Sequence, residues 1–142
     1  MKKYFDLGNY SRKVTIIKTA QTWFDRGMVW LFAYNHEEAI FCFEKALDSD
    51  PDCTLAYWGI AYAIGPNYNK SWEVFTPDEK APVLEKAHQA LNKAKNVANS
   101  SNFEQELIHA LTLRYPKDHR IEDFQPFSDA FANAMKPIYE KN

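Results

Sequence analysis

Between Ala20 and Cys53 the sequence carries two apolar patterns of helical period, parted by Tyr34-Asn35-His36 and closed by Asp50-Pro51-Asp52. Such a pair predicts one antiparallel helical hairpin. The first pattern places Trp23, Phe24, Gly27, Trp30 and Leu31 at three- and four-residue intervals, along one stripe of a cylinder. Glycine costs about 1 kcal/mol in an exposed helix interior, so Gly27 predicts that another backbone comes close there. The second pattern starts at Asn35, a cap residue, with Glu38 placed to complete a capping box. Ala39, Ile40, Phe43, Ala46 and Leu47 supply its apolar face, and Pro51 stops it. Gly27, Ala39 and Ala46 let the helices approach, while Trp23, Trp30 and Phe43 fill the space between neighbours.

These residues resemble the signature of the tetratricopeptide repeat (TPR) family, W-x2-L-G-x2-Y, then A-x3-F, then P. The order here is Trp23-x2-Arg26-Gly27-x2-Trp30, then Ala39-x3-Phe43, then Pro51, with Ala46 at the second small position. Gly27 and Ala39 are 12 steps apart, the family's spacing. Arg26 departs from the usual Leu, and Trp30 stands for Tyr. The resemblance implies an all-α fold of antiparallel helical hairpins, stacked as a short right-handed solenoid.

Tyr57 comes 34 residues after Trp23, and Ala61 stands at the position of Gly27, so Cys53 to Ile64 matches the first helix of a second repeat. Gly65-Pro66-Asn67-Tyr68-Asn69-Lys70 is turn chemistry. A new helix is expected either at Thr76-Pro77-Asp78-Glu79 or at Pro82, the latter leaving residues 76–81 as a separate turn. Ala87, Leu91 and Ala94 then repeat the spacing of Ala39, Phe43 and Ala46, so the second hairpin carries an insertion of 14 residues, at 65–78. A third hairpin opens on Ser101 with Glu104, followed by a stripe of Leu107, Ile108, Leu111 and Tyr115 that ends at Pro116. The last segment has Phe127, Ala130, Phe131, Ala134, Met135 and Ile138 at helical spacing, with Pro137 expected to kink or end it.

The expected organisation is therefore one domain over residues 1–142, with repeat 1 at about 20–53, repeat 2 at about 54–99 and a third hairpin at about 101–140. The chain also resembles the N-terminal part of longer, little-characterised microbial TPR-domain proteins. That likeness rests on Trp23-Phe24-Asp25-Arg26-Gly27, Asn35-His36-Glu37-Glu38-Ala39, Tyr57-Trp58-Gly59-Ile60-Ala61 and Gly65-Pro66-Asn67-Tyr68-Asn69, and extends more weakly through Glu104, Leu107, Ile108, Ala110 and Leu111 to Ala134-Met135. It implies further repeats after this point. The apolar stripe of the last helix then either docks back on the third hairpin, meets such a continuation, or mediates self-association.

Seventeen basic and nineteen acidic residues give a net charge of −2, with the two signs interleaved. This favours neither a nucleic-acid nor an anionic-membrane partner. Cys42 and Cys53 have no CxxC or Cys/His cluster around them, and are expected to be buried and reduced. Asp6, Asn9, Arg12 and Lys13 interrupt any signal-peptide core after the basic start. A cytoplasmic, soluble chain is expected, unless an export signal was removed from a longer precursor.

In TPR arrays the first helix of each hairpin lines a concave groove, so the resemblance puts Gln21, Phe24, Met28, Leu31, Leu55, Trp58 and Tyr62 there. The expected function is a protein-interaction scaffold. Its partner-binding residues would be Phe24, Met28, Trp58, Tyr62 and Trp72, taking an apolar peptide or helix in the groove or against the insert. The competing expectation is that Tyr68, Trp72 and Phe75 of the insert fill that groove as core. The alternative function is a small-ligand or metal site at an edge formed by His36, Glu37, Asn67 and Asn69 beside Trp72, part of a larger enzyme; the competing expectation has Asn67 and Asn69 satisfying turn backbone and His36 at the surface. The sequence offers no His-x3-His, no Glu-x2-His with a second ligand, no phosphate loop and no nucleophile elbow. No catalytic residue, cofactor or resident metal is expected, and His88, His109 and His119 are expected to face solvent.

Overall fold

A computed structural model describes residues 4–142, and among these it contains six α-helices and no strand. They are α1 (Lys18–Phe32), α2 (His36–Ser49), α3 (Thr54–Ile64), α4 (Pro77–Lys95), α5 (Asn102–Leu113) and α6 (Gln125–Lys141). Each helix packs against its neighbours in the chain, and α3 also touches α1 and α5. Thr54, Leu55, Ala56, Gly59, Ile60, Ala61 and Ala63 of α3 are all buried, the pattern of a helix enclosed on most sides. Among the described residues no helix is long and apolar enough to cross a membrane.

Phe43 of α2, wholly buried, lies between α1 and α3. A Cβ placed on Gly27 or on Gly59 would come within 2.6 Å of its ring. The close neighbour of Gly27 is thus an aromatic side chain, where the sequence had suggested a backbone. Ala39 and Ala46, also fully buried, let the paired helices approach around that ring.

The turn between α1 and α2 is a Schellman closure: the Asn35 N–H donates to the Trp30 carbonyl at 3.0 Å, and the Tyr34 N–H to that of Leu31 at 3.2 Å. Tyr34 takes the left-handed conformation at φ 62°, where glycine is the usual residue. The Asn35 side chain caps α2 by accepting from the Glu38 N–H. The return half of the expected box is missing, because the Glu38 carboxylate instead accepts from the Tyr4 hydroxyl at 2.8 Å.

The helix after the insert starts at Pro77 and runs through Pro82 without a break, so residues 76–81 are not a separate turn. The Glu79 carboxylate reaches back to the Thr76 N–H at 2.8 Å, which fixes the start. Pro82 then sacrifices a single backbone bond near the first turn, where Asp78, the residue that would have accepted it, is exposed. Ser101 and Glu104 form the expected reciprocal box at the start of α5. That helix ends at Leu113, so Tyr115, predicted as part of its stripe, lies beyond it and is nevertheless buried. Pro137 likewise sits inside α6 without ending it. The apolar side of α6 lies against α5, with Phe127, Ala130, Phe131, Ala134 and Met135 half-buried and Ile138 buried.

An extended N-terminal arm precedes α1. Tyr4 meets Trp23 edge-on with ring centroids 5.5 Å apart, and its hydroxyl accepts from the Trp30 indole at 2.7 Å. The Arg26 guanidinium lies 4.2 Å from the centre of the Tyr4 ring and 4.7 Å from that of Trp23. At the position where the repeat signature has Leu, the arm has recruited a cation.

Gly27→Ala and Gly59→Ala are each expected to destabilise the fold by about 1–3 kcal/mol through overpacking, although alanine is the better helix former by about 1 kcal/mol. In a Phe43→Leu background the same changes should cost less than half as much. Urea unfolding of the double-mutant cycle measures this.

Candidate functional site

On α3, the two large side chains left half-buried beside one another are Trp58 and Tyr62, one turn apart and stacked with centroids 5.0 Å apart and planes 23° from parallel. The Arg114 guanidinium, arriving from the end of α5, lies 5.4 Å from the Tyr62 ring centre and 5.4 Å from that of Phe131 on α6. One of its nitrogens donates to the Pro66 carbonyl at 2.8 Å. Its other terminal nitrogen and the Trp58 indole nitrogen are buried with no hydrogen-bond partner among the described residues. Arg114 therefore ties the insert, α3 and α6 at one point, held largely by ring faces.

The remaining residues proposed for the groove are not all surface. Phe24 is 1% exposed and packs on Phe43 with centroids 5.7 Å apart, so it belongs to the core and is withdrawn from the partner-binding set. Leu31 and Leu55 are buried as well. Met28 is half-buried, and with Tyr10, Val29, Phe32 and Ala33 it lines an apolar hollow of about 340 Å³. Gln21 is taken up by the N-terminal arm through its side-chain amide.

The insert divides. Trp72, in a 3-10 turn (Trp72–Val74), is 3% exposed and stacks on Phe124 at 4.4 Å, with Tyr115 edge-on at 6.1 Å and Phe75 at 5.1 Å. This buries it as core, so Trp72 also leaves the partner-binding set. Its cluster forms against residues after α5, and Trp58 and Tyr62 keep their half-buried state. Tyr68, by contrast, is 90% exposed.

The turns bearing His36 and Asn67 do meet, through Tyr34 and Tyr68 with ring centroids 6.4 Å apart. Asn67 is engaged locally: its side chain accepts from the Asn69 N–H at 2.9 Å, and its backbone pairs with Lys70. His36 is half-buried, while Glu37 and Asn69 are exposed. Among the described residues no group of three or more His, Cys, Asp and Glu side chains is placed to hold a metal ion. The proposed edge thus brings two tyrosines together more than it gathers ligands. His109 and His119 are exposed, but His88 is half-buried, with Nε2 3.0 Å from the Pro116 carbonyl oxygen.

Tyr115, wholly buried, donates its hydroxyl hydrogen bond to the Ala61 carbonyl at the end of α3, and burial pushes its phenol well above the usual tyrosine range. Cys42 and Cys53 are free and buried. Burial raises both thiols, that of Cys53 to about 12.

Compared with known proteins, the chain matches no family model, no curated protein and no solved structure.

Trp72→Ala is expected to lower unfolding free energy by about 3–5 kcal/mol, as for a core aromatic, and Tyr68→Ala to change it by less than about 0.5 kcal/mol. Denaturant titration of the two variants separates the halves of the insert. The thiols should also resist iodoacetamide at about pH 8 in the folded chain and react at once in denaturant, since only the thiolate is nucleophilic. Their folded pKa values lie above the unfolded ones. Their contribution to stability is therefore complete below the unfolded thiol range, at about pH 8.5, and is lost as pH climbs toward the folded values. Melting temperature is accordingly expected to fall from about pH 8 to about pH 11, and to fall less steeply in Cys53→Ala.

Proposed function

We propose that the chain is a TPR-type protein-interaction module that holds a partner segment against Met28, Trp58 and Tyr62. The repeat reading is supported by the packing of its signature residues. Phe43 fits between Gly27 and Gly59, Ala39 and Ala46 are fully buried, and α3 stacks on the α1–α2 pair. In this reading α1 with α2, α3 with α4, and α5 with α6 are successive helical hairpins of a short solenoid. The loop before α4 is the insertion in the second.

The observation that carries the functional reading is the Trp58–Tyr62 pair. Leu55, Ala56, Gly59, Ile60, Ala61 and Ala63 on the same helix are all buried, whereas these two stacked rings, like the neighbouring Tyr57, keep part of their surface free. A stacked pair backed by a guanidinium is held in place before any partner arrives, which lowers the side-chain ordering cost of binding. Large amphipathic rings on a rigid helix are the residue types that dominate interface energetics. A second apolar surface, the hollow around Met28 and Phe32, lies on α1. No catalytic residue and no cofactor enters this reading.

Met28→Glu together with Trp58→Ala should abolish capture of partners that the wild type retains, and Trp58→Ala alone should weaken their binding at least about tenfold. The check is a quantitative pull-down followed by titration, with circular dichroism showing that both variants keep their helices. Identical partner lists and affinities would sink the groove reading.

A further inference from the structure

The N-terminal arm crosses the start of α1 and lies beside the starts of α3 and α5, and it is held there in a manner unlike ordinary core packing. The Gln21 side chain reads its backbone in both directions. Gln21 Oε1 accepts from the Val14 N–H at 2.9 Å and the Thr15 N–H at 3.3 Å, while Nε2 donates to the Arg12 carbonyl at 2.7 Å. The same Nε2 donates to Asp25 at 2.8 Å, which fixes the amide's orientation, and Asp25 also accepts from the Arg12 N–H at 3.3 Å. A carboxamide aligned in this way recognises an extended backbone whatever its side chains.

Three side chains then add selectivity. The Arg12 guanidinium lies 4.8 Å from the centre of the Phe103 ring on α5, a cation–π seat. Val14 is half-buried against the core. The Thr15 hydroxyl donates to Asp50, at the end of α2. Lys13, between them, is exposed, as is Ile16, and an open cleft of about 320 Å³ runs beside residues 12–16 between Leu55 and Phe103. The receiving surface presents the carboxylates of Asp25 and Asp50 to a segment that reads Arg-Lys-Val-Thr.

We propose that this surface is a peptide-recognition site, filled at rest by residues 12–15 and open to an extended partner segment carrying the pattern basic, any, apolar, hydroxyl. The occupant seated there defines the chemistry that fits: the backbone pairs with Gln21, the cation with Phe103, the apolar side chain with the core edge and the hydroxyl with Asp50. Residues 12–15 belong to no helix or strand, and most of their fastenings are partly exposed hydrogen bonds, which hold far less than a core helix. The arm has a separate anchor at Tyr4, and Gly8, at φ 79° with no atom within 4 Å of a built Cβ, supplies a turn between the two. Residues 12–15 can therefore lift while Tyr4 stays docked. This site lies apart from the Trp58–Tyr62 pair and stands independently of the function proposed for that pair.

The test uses the full chain. Hydrogen exchange should show the Arg12, Val14 and Thr15 amides exchanging at least a hundredfold faster than those of α3, because the arm opens without unfolding the helices. A labelled peptide copying Asn9–Ile17 should bind the Arg12→Ala, Val14→Ser chain at least tenfold more tightly than wild type by fluorescence anisotropy. That binding should disappear on adding Gln21→Ala and persist on adding Trp58→Ala. Arm amides as slow as those of α3 would overturn the proposal, as would absence of saturable binding to the helical arm variant. Loss of helical circular dichroism in that variant would overturn it equally, since a resident ligand is dispensable to the fold.

Discussion

The seat of the Phe43 ring between Gly27 and Gly59 governs how the first three helices meet. A phenyl ring inserted where two helices lack side chains brings α1, α2 and α3 together around a single residue of α2. Burying that ring stabilises the fold by roughly 1.5–3 kcal/mol, an amount that offsets the helix propensity lost at two glycines. The alanines flanking it on α2 keep the approach close on either side. Because α3 also touches α4 and α5, its position relative to α1 is passed on to the rest of the chain.

At the far end of α3 a different device operates. Tyr115 reaches back to the Ala61 carbonyl, Arg114 reaches the Pro66 carbonyl, and Trp72 stacks between the insert and Phe124. Together they fasten an expanded loop that would otherwise be free to sample many conformations. A Cβ on Gly65 would collide with the Tyr115 ring and hydroxyl, so the turn that ends α3 is shaped by a residue fifty positions away. Trp72 and Phe75 of the insert are spent on this fastening and do not cover Trp58 and Tyr62, which stay half-buried on α3.

Features set by near neighbours were legible in the sequence. The helix starts at Asn35 and Ser101, and the alternation of Ala39, Phe43 and Ala46, depend on contacts within a turn or on a spacing shared between paired helices, while the start at Thr76 was one of two the sequence left open. What could not be read there depends on distant partners. Nothing near Glu38 says that its carboxylate is diverted to Tyr4, and nothing near Gly27 says that its neighbour is a ring. Phe24 and Trp72 shared the helical or turn setting of Trp58, yet only the assembled core separates buried rings from the half-buried pair. The role of Arg114 is not visible in its own neighbourhood, because it is defined by Tyr62, Phe131 and Pro66 together. The one signal available was that a solitary arginine stands just before a tyrosine-proline helix end. Pro82 and Pro137 do not end their helices for a complementary reason: each removes one backbone bond in a helix whose other contacts carry it past the gap.

The contact of Arg12 with Phe103 has a consequence for order in time. A chain that folds from its N-terminus as it is synthesised can form α1, α2 and α3 around Phe43 long before residue 103 exists. The arm, although made first, cannot complete its docking until α5 is in place. Until then only its bonds to Gln21, Asp25 and Asp50, on and beside the first two helices, can hold it, and the seating of Arg12 on Phe103 marks the moment at which the third pair of helices has arrived.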